Sequence, residues 1–342
     1  MIVWDCFYKH ATTALELQVF YLLKKIMSDQ RCLYCYKEIK EDGDDFHSSC
    51  SKKMFGTLQP PVLDYSLNQM LELGEKVIKS QVAVTGVQPK LSLGIKKYVG
   101  KDIPKKLTIM GVWGEYILKP PSAYYESLPE LEDLTMHLAE ISGVKTVPHT
   151  LIRLKSGELS YLTKRIDREK NKKFHMEDMA QLTGKLTEAK YRGSYEQVGK
   201  AIVNYSEFPL LDVVNFFEEV LFCFLTGNND MHLKNFSLFK DPVLGYRLSP
   251  AYDLVSSELV VEGDDEELAL TLNGKKKKLK RYDFEKVMGH MGIDKKAIEN
   301  VFLRFKKVIP HWHQFIDLSF LSEDLKKDYH DMIDKKSKQI EL

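Results

Sequence analysis

The stretch Cys223–Phe239, CFLTGNNDMHLKNFSLF, is apolar enough at both ends to be buried, yet its middle is crowded with side chains that bond, ionise or bind metal. It closes the segment LLDVVNFFEEVLFCFLTG (210–227), which is hydrophobic nearly all round and predicts a helix buried on most sides, with Gly227 as its stop. Buried polar groups are costly unless they are bonded or occupied. A run this polar behind a buried helix therefore either caps the helix and stitches the loop to it, or lines a site.

Four residues separate Asp230 from Asn235. Transfer of a phosphoryl group to a hydroxyl needs a carboxylate to take the hydroxyl proton and a neighbouring oxygen ligand for Mg²⁺. Kinase catalytic loops use this Asp-x-x-x-x-Asn spacing because the loop turns back and presents both side chains to one phosphate. A hairpin-like pattern, FSLFKDPVLGYRLSPAYDLVSS, then leads to Asp253, placed to be a second Mg²⁺ ligand. His232 reads equally as structural or phosphate-facing, and Lys234 as solvated.

Upstream, residues 57–166 hold short β-like runs, KLSLGI, EYILKP, TVPHTLIRL and LSYLTKRID, broken by one helix. That helix, LPELEDLTMHLAEISG, puts Leu131, Leu134, Leu138 and Ile141 on one face, with Pro129 near its start and Gly143 at its end. AVTGVQPKLSL offers a Gly-containing turn for phosphates, with Gly86 and Lys90, and Lys119 ends a strand where it could pair them. Glu132 or Glu130 could hold that lysine; periodicity does not choose. Residues 167–342 turn mostly helical. The predicted fold class is α+β: a bilobal, protein-kinase-like fold with a β-rich N-lobe (57–166) and a helical C-lobe (167–342).

Two further segments precede these lobes. Residues 1–30 form an extension with no assigned role. Residues 31–56 contain CLYCYKEIKEDGDDFHSSC, in which Cys32, Cys35, His47 and Cys50 have the spacing of a closed structural zinc site, a knuckle of three thiolates and one imidazole. The chain has five cysteines in 342 residues and a formal net charge of +1. That excludes a disulfide framework and a strongly basic surface, and points to a reducing, cytoplasmic compartment. The N-terminus makes a poor signal peptide, and no apolar run is long enough to span a membrane.

The motifs TGVQPKL, YILKPPS, LTKRIDR, MEDMAQLTG, GNNDMHLKNFSLF and LSPAYDLVS, in this order, resemble the HipA-like serine/threonine kinases of bacterial toxin–antitoxin systems, in particular the short HipT-like branch. The resemblance implies ATP and Mg²⁺ as cofactors, Asp230 as the catalytic residue, and Asn235 and Asp253 as Mg²⁺ ligands. It implies Lys119 as the phosphate-pairing lysine, and Thr85, Gly86, Val87, Gln88, Pro89 and Lys90 as the nucleotide-covering loop. Lys164, Arg165 and Ile166 match the interlobe hinge that meets the adenine, and His232 and Tyr252 fall in nucleotide-contact segments. The family's regulatory autophosphorylation serine, three residues before the Gly, is here Ala83, which leaves Thr85 as the expected phosphosite. Resemblance further implies a protein substrate such as an aminoacyl-tRNA synthetase and a helix-turn-helix antitoxin that carries the DNA contact. It also implies a separate small HipS-like protein, because the chain is too short for the family's extra N-terminal subdomain. A kinase-fold binding module and a small-molecule phosphotransferase are the competing readings.

Overall fold

The computed structural model describes residues 31–39, 44–80, 88–96, 105–110, 113–169, 172–261, 263 and 265–342. Thr85, Gly86, Val87 and the 1–30 extension lie outside the described residues. The chain divides into two compact units, Met1–Pro60 and Pro61–Leu342.

In the first unit, a tight turn returns the Tyr36 N–H to the Cys32 carbonyl at 2.8 Å, and an antiparallel bridge joins Arg31 to Glu38. Helix α1, Ser48–Phe55, follows and ends on Gly56 in the left-handed region. Leu33, Tyr36, Phe46, Met54 and Phe55 make a small apolar core.

The second unit starts with helix α2, Leu67–Ser80, in a region where the sequence reading expected strands and one later helix. Its start signal is a capping box: the Ser66 N–H donates to Gln69 Oε1 at 2.9 Å, and the Gln69 N–H returns to Ser66 Oγ at 3.4 Å. Strands β1 (Leu91–Lys96), β2 (Lys106–Ile109) and β3 (Tyr116–Lys119) precede helix α3 (Leu128–Ile141). Strands β4 (His149–Arg153) and β5 (Leu159–Lys164) complete a five-stranded sheet in the order β2-β1-β3-β5-β4, antiparallel throughout. Leu131, Leu134 and Leu138 of α3 are fully buried, as their spacing predicts. The same helix also buries Glu132, Asp133, Thr135 and His137, which periodicity did not reveal.

Two-residue strands β6 (Arg168–Glu169) and β7 (Lys172–Lys173) form a small ladder. Strand β8 (Met176–Asp178) leads into the short helix α4 (Met179–Leu182), capped by Asp178. Helices α5 (Tyr195–Tyr205) and α6 (Pro209–Leu225) pack next. Phe216, Phe217, Phe222 and Phe224 of α6 are fully buried, each contributing about 1.5–3 kcal/mol of transfer free energy. Gly227 takes φ +63 just past this helix, and a Cβ there would collide with Met332. After the polar loop come β9 (Ser237–Asp241) and β10 (Gly245–Leu248), which pair as a hairpin and, with β8, form a three-stranded sheet. The region after 167 is thus less purely helical than expected. Helices α7 (Arg281–His290), α8 (Lys295–Asp317) and α9 (Glu323–Gln339) end the chain. Buried Trp312 of α8 stacks edge-on against Phe222 and donates its indole N–H to Ser142 Oγ at 3.0 Å, tying α6, α8 and the end of α3 together. Among the described residues no helix is long and apolar enough to cross a membrane.

Candidate active site

Lys119, at the end of central strand β3, is 4 % exposed. Its Nζ lies 2.5 Å from Glu132 Oε1 of α3 and 2.8 Å from Asp253 Oδ1. The other Asp253 oxygen accepts from Lys90 Nζ, just before β1, at 2.6 Å. Four residues spread over more than 160 positions therefore meet at one point. Burial alone would lower the Lys119 ammonium, but Asp253 and Glu132 outweigh it and hold it well above its usual range. Burial would likewise raise Asp253, and the two lysines overturn that, holding its carboxyl far below the usual range. For Glu132 burial prevails and pushes the carboxyl up against the pull of Lys119. Glu132, not Glu130, is thus the partner of Lys119. Asp253 itself sits at φ +56, a left-handed conformation that costs a non-glycine residue on the order of 1 kcal/mol.

The polar loop behind α6 is sorted by its bonds. Asn228 and Asn229 brace it: the Asn229 N–H donates to Ser257 Oγ at 3.0 Å, its Oδ1 accepts from the same hydroxyl, and its Nδ2 reaches the Glu266 carbonyl at 3.2 Å. Asn235 Nδ2 donates to the Asp230 carbonyl at 3.2 Å. That bond closes the turn between the two residues and takes up the amide nitrogen, so the amide oxygen is the atom that could bind a cation. Asp230 Oδ1 accepts from the Tyr191 hydroxyl at 2.5 Å. His232 is buried, packs edge-on against Tyr191, and leaves Nδ1 without a hydrogen-bond partner. Burial pulls its imidazole down to about 4, helped by Lys190 and opposed by Asp230 and Asp253. Both carboxylates therefore lie within electrostatic reach of one neutral histidine. Tyr252 is locked by Ser237 at 2.5 Å and the Lys234 carbonyl at 3.1 Å, and the Lys234 ammonium reaches Asp178 at 3.6 Å.

Gln88 donates to the Pro120 carbonyl at 2.8 Å, tying the described end of the Gly-containing turn to the segment after β3. At the expected hinge, the Lys164 N–H is bonded to the Pro148 carbonyl and the Arg165 N–H to the Glu115 carbonyl, both at 2.8 Å. Arg165 also forks onto Asp167, with both bonds at 2.9 Å. An adenine here would have to meet the carbonyl side of these residues, or the backbone of Ile166. Tyr191 was missed by sequence reasoning; it lies in a turn, and nothing in KYRGSY marks it for the loop some 40 residues on.

The first unit has its own cluster. Cys32, Cys35, His47 and Cys50 each bring one ligand atom within 4.8 Å of the others. His47 Nδ1 stands 3.4 Å from Cys35 Sγ and 3.8 Å from Cys50 Sγ, close to the edge of a tetrahedron built on zinc–sulfur and zinc–nitrogen bonds of about 2.3 and 2.0 Å. The other ring nitrogen donates to the Glu38 carbonyl at 3.0 Å. That is the outer bond expected of a ligating histidine.

With this geometry in hand, similarity to known proteins decides the family. The HipA-like C-terminal domain profile matches residues 82–312. This chain belongs to the HipA-like family. A Sinorhizobium fredii protein named "Putative kinase Y4dM" is 36 % identical over 197 residues, covering 54 % of this chain and 47 % of that protein. The serine/threonine-protein kinase toxin HipA of Shewanella oneidensis is 25 % identical over 256 residues, covering 68 % of this chain and 56 % of the toxin. The chain spans about half the length of these HipA-like relatives. A solved complex of the Shewanella oneidensis HipA with HipB and operator DNA superposes with a TM-score of 0.62 at 22 % identity, covering 75 % of this chain and 65 % of HipA. The α+β architecture is therefore the HipA fold.

Proposed function

We propose that this chain is an ATP-dependent serine/threonine protein kinase, with Asp230 as the base that takes the proton of the acceptor hydroxyl. The observation that carries this reading is the joint hold of Lys119 on Glu132 and Asp253. A buried lysine fixed by a helix carboxylate, beside an aspartate displaced into a left-handed turn, serves nucleotide phosphates better than it serves packing. Asn235 and Asp253 offer two hard oxygen ligands and leave the remaining positions for phosphate and water, which suits Mg²⁺. That ion would neutralise charge across the phosphates. On nucleotide binding, Lys90 and Lys119 would turn from Asp253 to the phosphates, with Glu132 keeping Lys119 in place. His232 lies within electrostatic reach of Asp230, and its low basicity keeps another cation off the base.

The same reading takes Thr85 as a regulatory autophosphorylation site, where about −1.5 to −2 of added charge would repel the nucleotide. It takes a translation protein such as an aminoacyl-tRNA synthetase as substrate, and a helix-turn-helix antitoxin and a small HipS-like protein as partners. The Cys32–Cys35–His47–Cys50 cluster would hold a structural zinc, since four protein donors leave no open position.

Labelled ATP and the purified chain, compared with Asp230→Ala, test the proposal. Label should enter the chain itself or an added protein, with phosphopeptide mapping placing it on Thr85, and disappear in the variant. Nucleotide binding without transfer to any protein would overturn it, and transfer to a metabolite alone would point to a small-molecule phosphotransferase.

A further inference from the structure

Pro250, just upstream of Asp253, lines a cavity of about 240 Å³ that the kinase reading leaves unused. The loop after α3, one face of α6 and the β9–β10 hairpin wall it, with Val144, Phe239 and Leu248 among its apolar lining. Most of the charges around it are already answered. Glu218 pairs with Arg304 of α8 at 2.5 Å. Asp241 Oδ1 accepts from the Val243 and Leu244 N–H groups, both at 2.9 Å. The Arg247 guanidinium lies over the Phe208 ring at 5.8 Å, and Lys145 is exposed to water.

Asp212 and Glu219, which also line the cavity, are different. Asp212 is 1 % exposed and Glu219 4 %. Asp212 Oδ2 accepts from the Ser206 hydroxyl at 2.5 Å and from the Leu248 N–H at 2.8 Å. Its Oδ1 is buried with no hydrogen-bond partner among the described residues, and Glu219 Oε1 is in the same state. Buried acceptors left unbonded are costly, and the more so on carboxylates. Seven positions separate the two residues on α6, almost two full turns, so they share one face with roughly 10 Å between them along the axis. One ammonium, forming hydrogen bonds of about 2.8 Å, is too small to reach both. A single metal ion fails for the same reason. Two cationic nitrogens joined by a short apolar link satisfy both ends, and the apolar walls suit the link.

We propose that this cavity binds a small organic dication of the diamine class, with one nitrogen on Asp212 and the other on Glu219. Burial pushes the Glu219 carboxyl up for want of a counter-charge, and the bound nitrogen supplies one. The wall of the cavity is tied to the segment that carries Asp253. The Ala251 N–H donates to the Lys145 carbonyl at 2.7 Å, and the Val147 N–H donates to the Ala251 carbonyl at 3.0 Å. An occupant therefore braces the approach to Tyr252 and Asp253. The cavity and its two carboxylates do not depend on the kinase reading.

Calorimetric titration of the full chain with putrescine tests the site, with butylamine and butanediol as probes that keep the link and lose one or both charges. Putrescine should bind one to one and raise the melting temperature by a few degrees. Butylamine should bind at least about tenfold more weakly, and butanediol not at all. Asp212→Asn and Glu219→Gln keep the side-chain shape and should each weaken putrescine by a similar factor. Asp324→Asn removes an exposed acid and should change nothing. The comparison of probes needs no variant to fold. No heat and an unmoved melting temperature at millimolar putrescine would mean that water alone fills the cavity, and would overturn the proposal. Putrescine binding that survives both carboxylate variants, or butylamine that binds as tightly as putrescine, overturns it as well.

Discussion

The Tyr191 hydroxyl donates to Asp230 Oδ1 at 2.5 Å, and thereby fills the place a substrate hydroxyl would take on the proposed base. Tyr191 is 43 % exposed, so it can swing away when an acceptor arrives. Tyr191→Phe keeps the ring on His232 and removes the competing donor. Its initial rate of autophosphorylation should rise about threefold to tenfold, the equivalent of one modest hydrogen bond. Asp230→Asn should cut the rate by about 10²–10⁴. Initial rates with labelled ATP check both; a slower Tyr191→Phe enzyme would mean that the tyrosine orients the base instead of blocking it.

Lys119→Met would leave Glu132 and Asp253 facing each other in a buried space with only half-exposed Lys90 as counter-charge. Breaking a buried pair in this way costs about 3–5 kcal/mol. Urea midpoints should fall accordingly, and nucleotide affinity should be lost. Glu130→Gln, which breaks no contact to Lys119, should leave both nearly unchanged.

Glu219, in the middle of α6, is buried with Oε1 unpartnered, and burial pushes its carboxyl up to about 8. In the unfolded chain it titrates near 4.3. Between these values the folded state keeps a proton that the unfolded state has released. Stability therefore falls as pH rises from about 5 to 8, by up to about 1.4 kcal/mol per unit. Glu219→Gln has the same shape and no proton to lose. Urea melts at pH 5.5 and 8.0 should show the wild type losing ground to the variant at the higher pH; parallel curves would contradict the assignment.

The first unit buries few large side chains among its described residues, so the proposed zinc would supply much of its stability. Chelation, or Cys35→Ser, should make residues 31–60 cleavable while 61–342 stay protected. Limited proteolysis read by mass spectrometry distinguishes this from a metal-independent fold, which would resist cleavage with and without chelator.

Local rules were enough for much of the architecture. The 3.6-residue period of Leu131, Leu134 and Leu138, the apolar run ending at Gly227 and the cysteine spacing are all short-range patterns, and each corresponds to an element or cluster in the structure. The capping box Ser66–Gln69 is a short-range pattern too, and it starts α2 in the stretch where the sequence predicts strands. Glu130 and Glu132 differ by two positions on one helix, about 200° of rotation, and only the packing of α3 against the sheet turns Glu132 toward Lys119.

Sequence alone thus determined the family, several of the elements and the residues with chemistry to offer, because periodicity, capping and motif spacing act within one or two turns of chain. Tertiary structure decided which of those residues meet. The Lys90–Asp253 bond spans 163 positions, and Tyr191 reaches Asp230 across 39. His149 met Asp133, at 2.7 Å, only when β4 was laid beside α3. Such pairings depend on how sheet and helices stack, and burial then sets which charges persist, so no local pattern announces them.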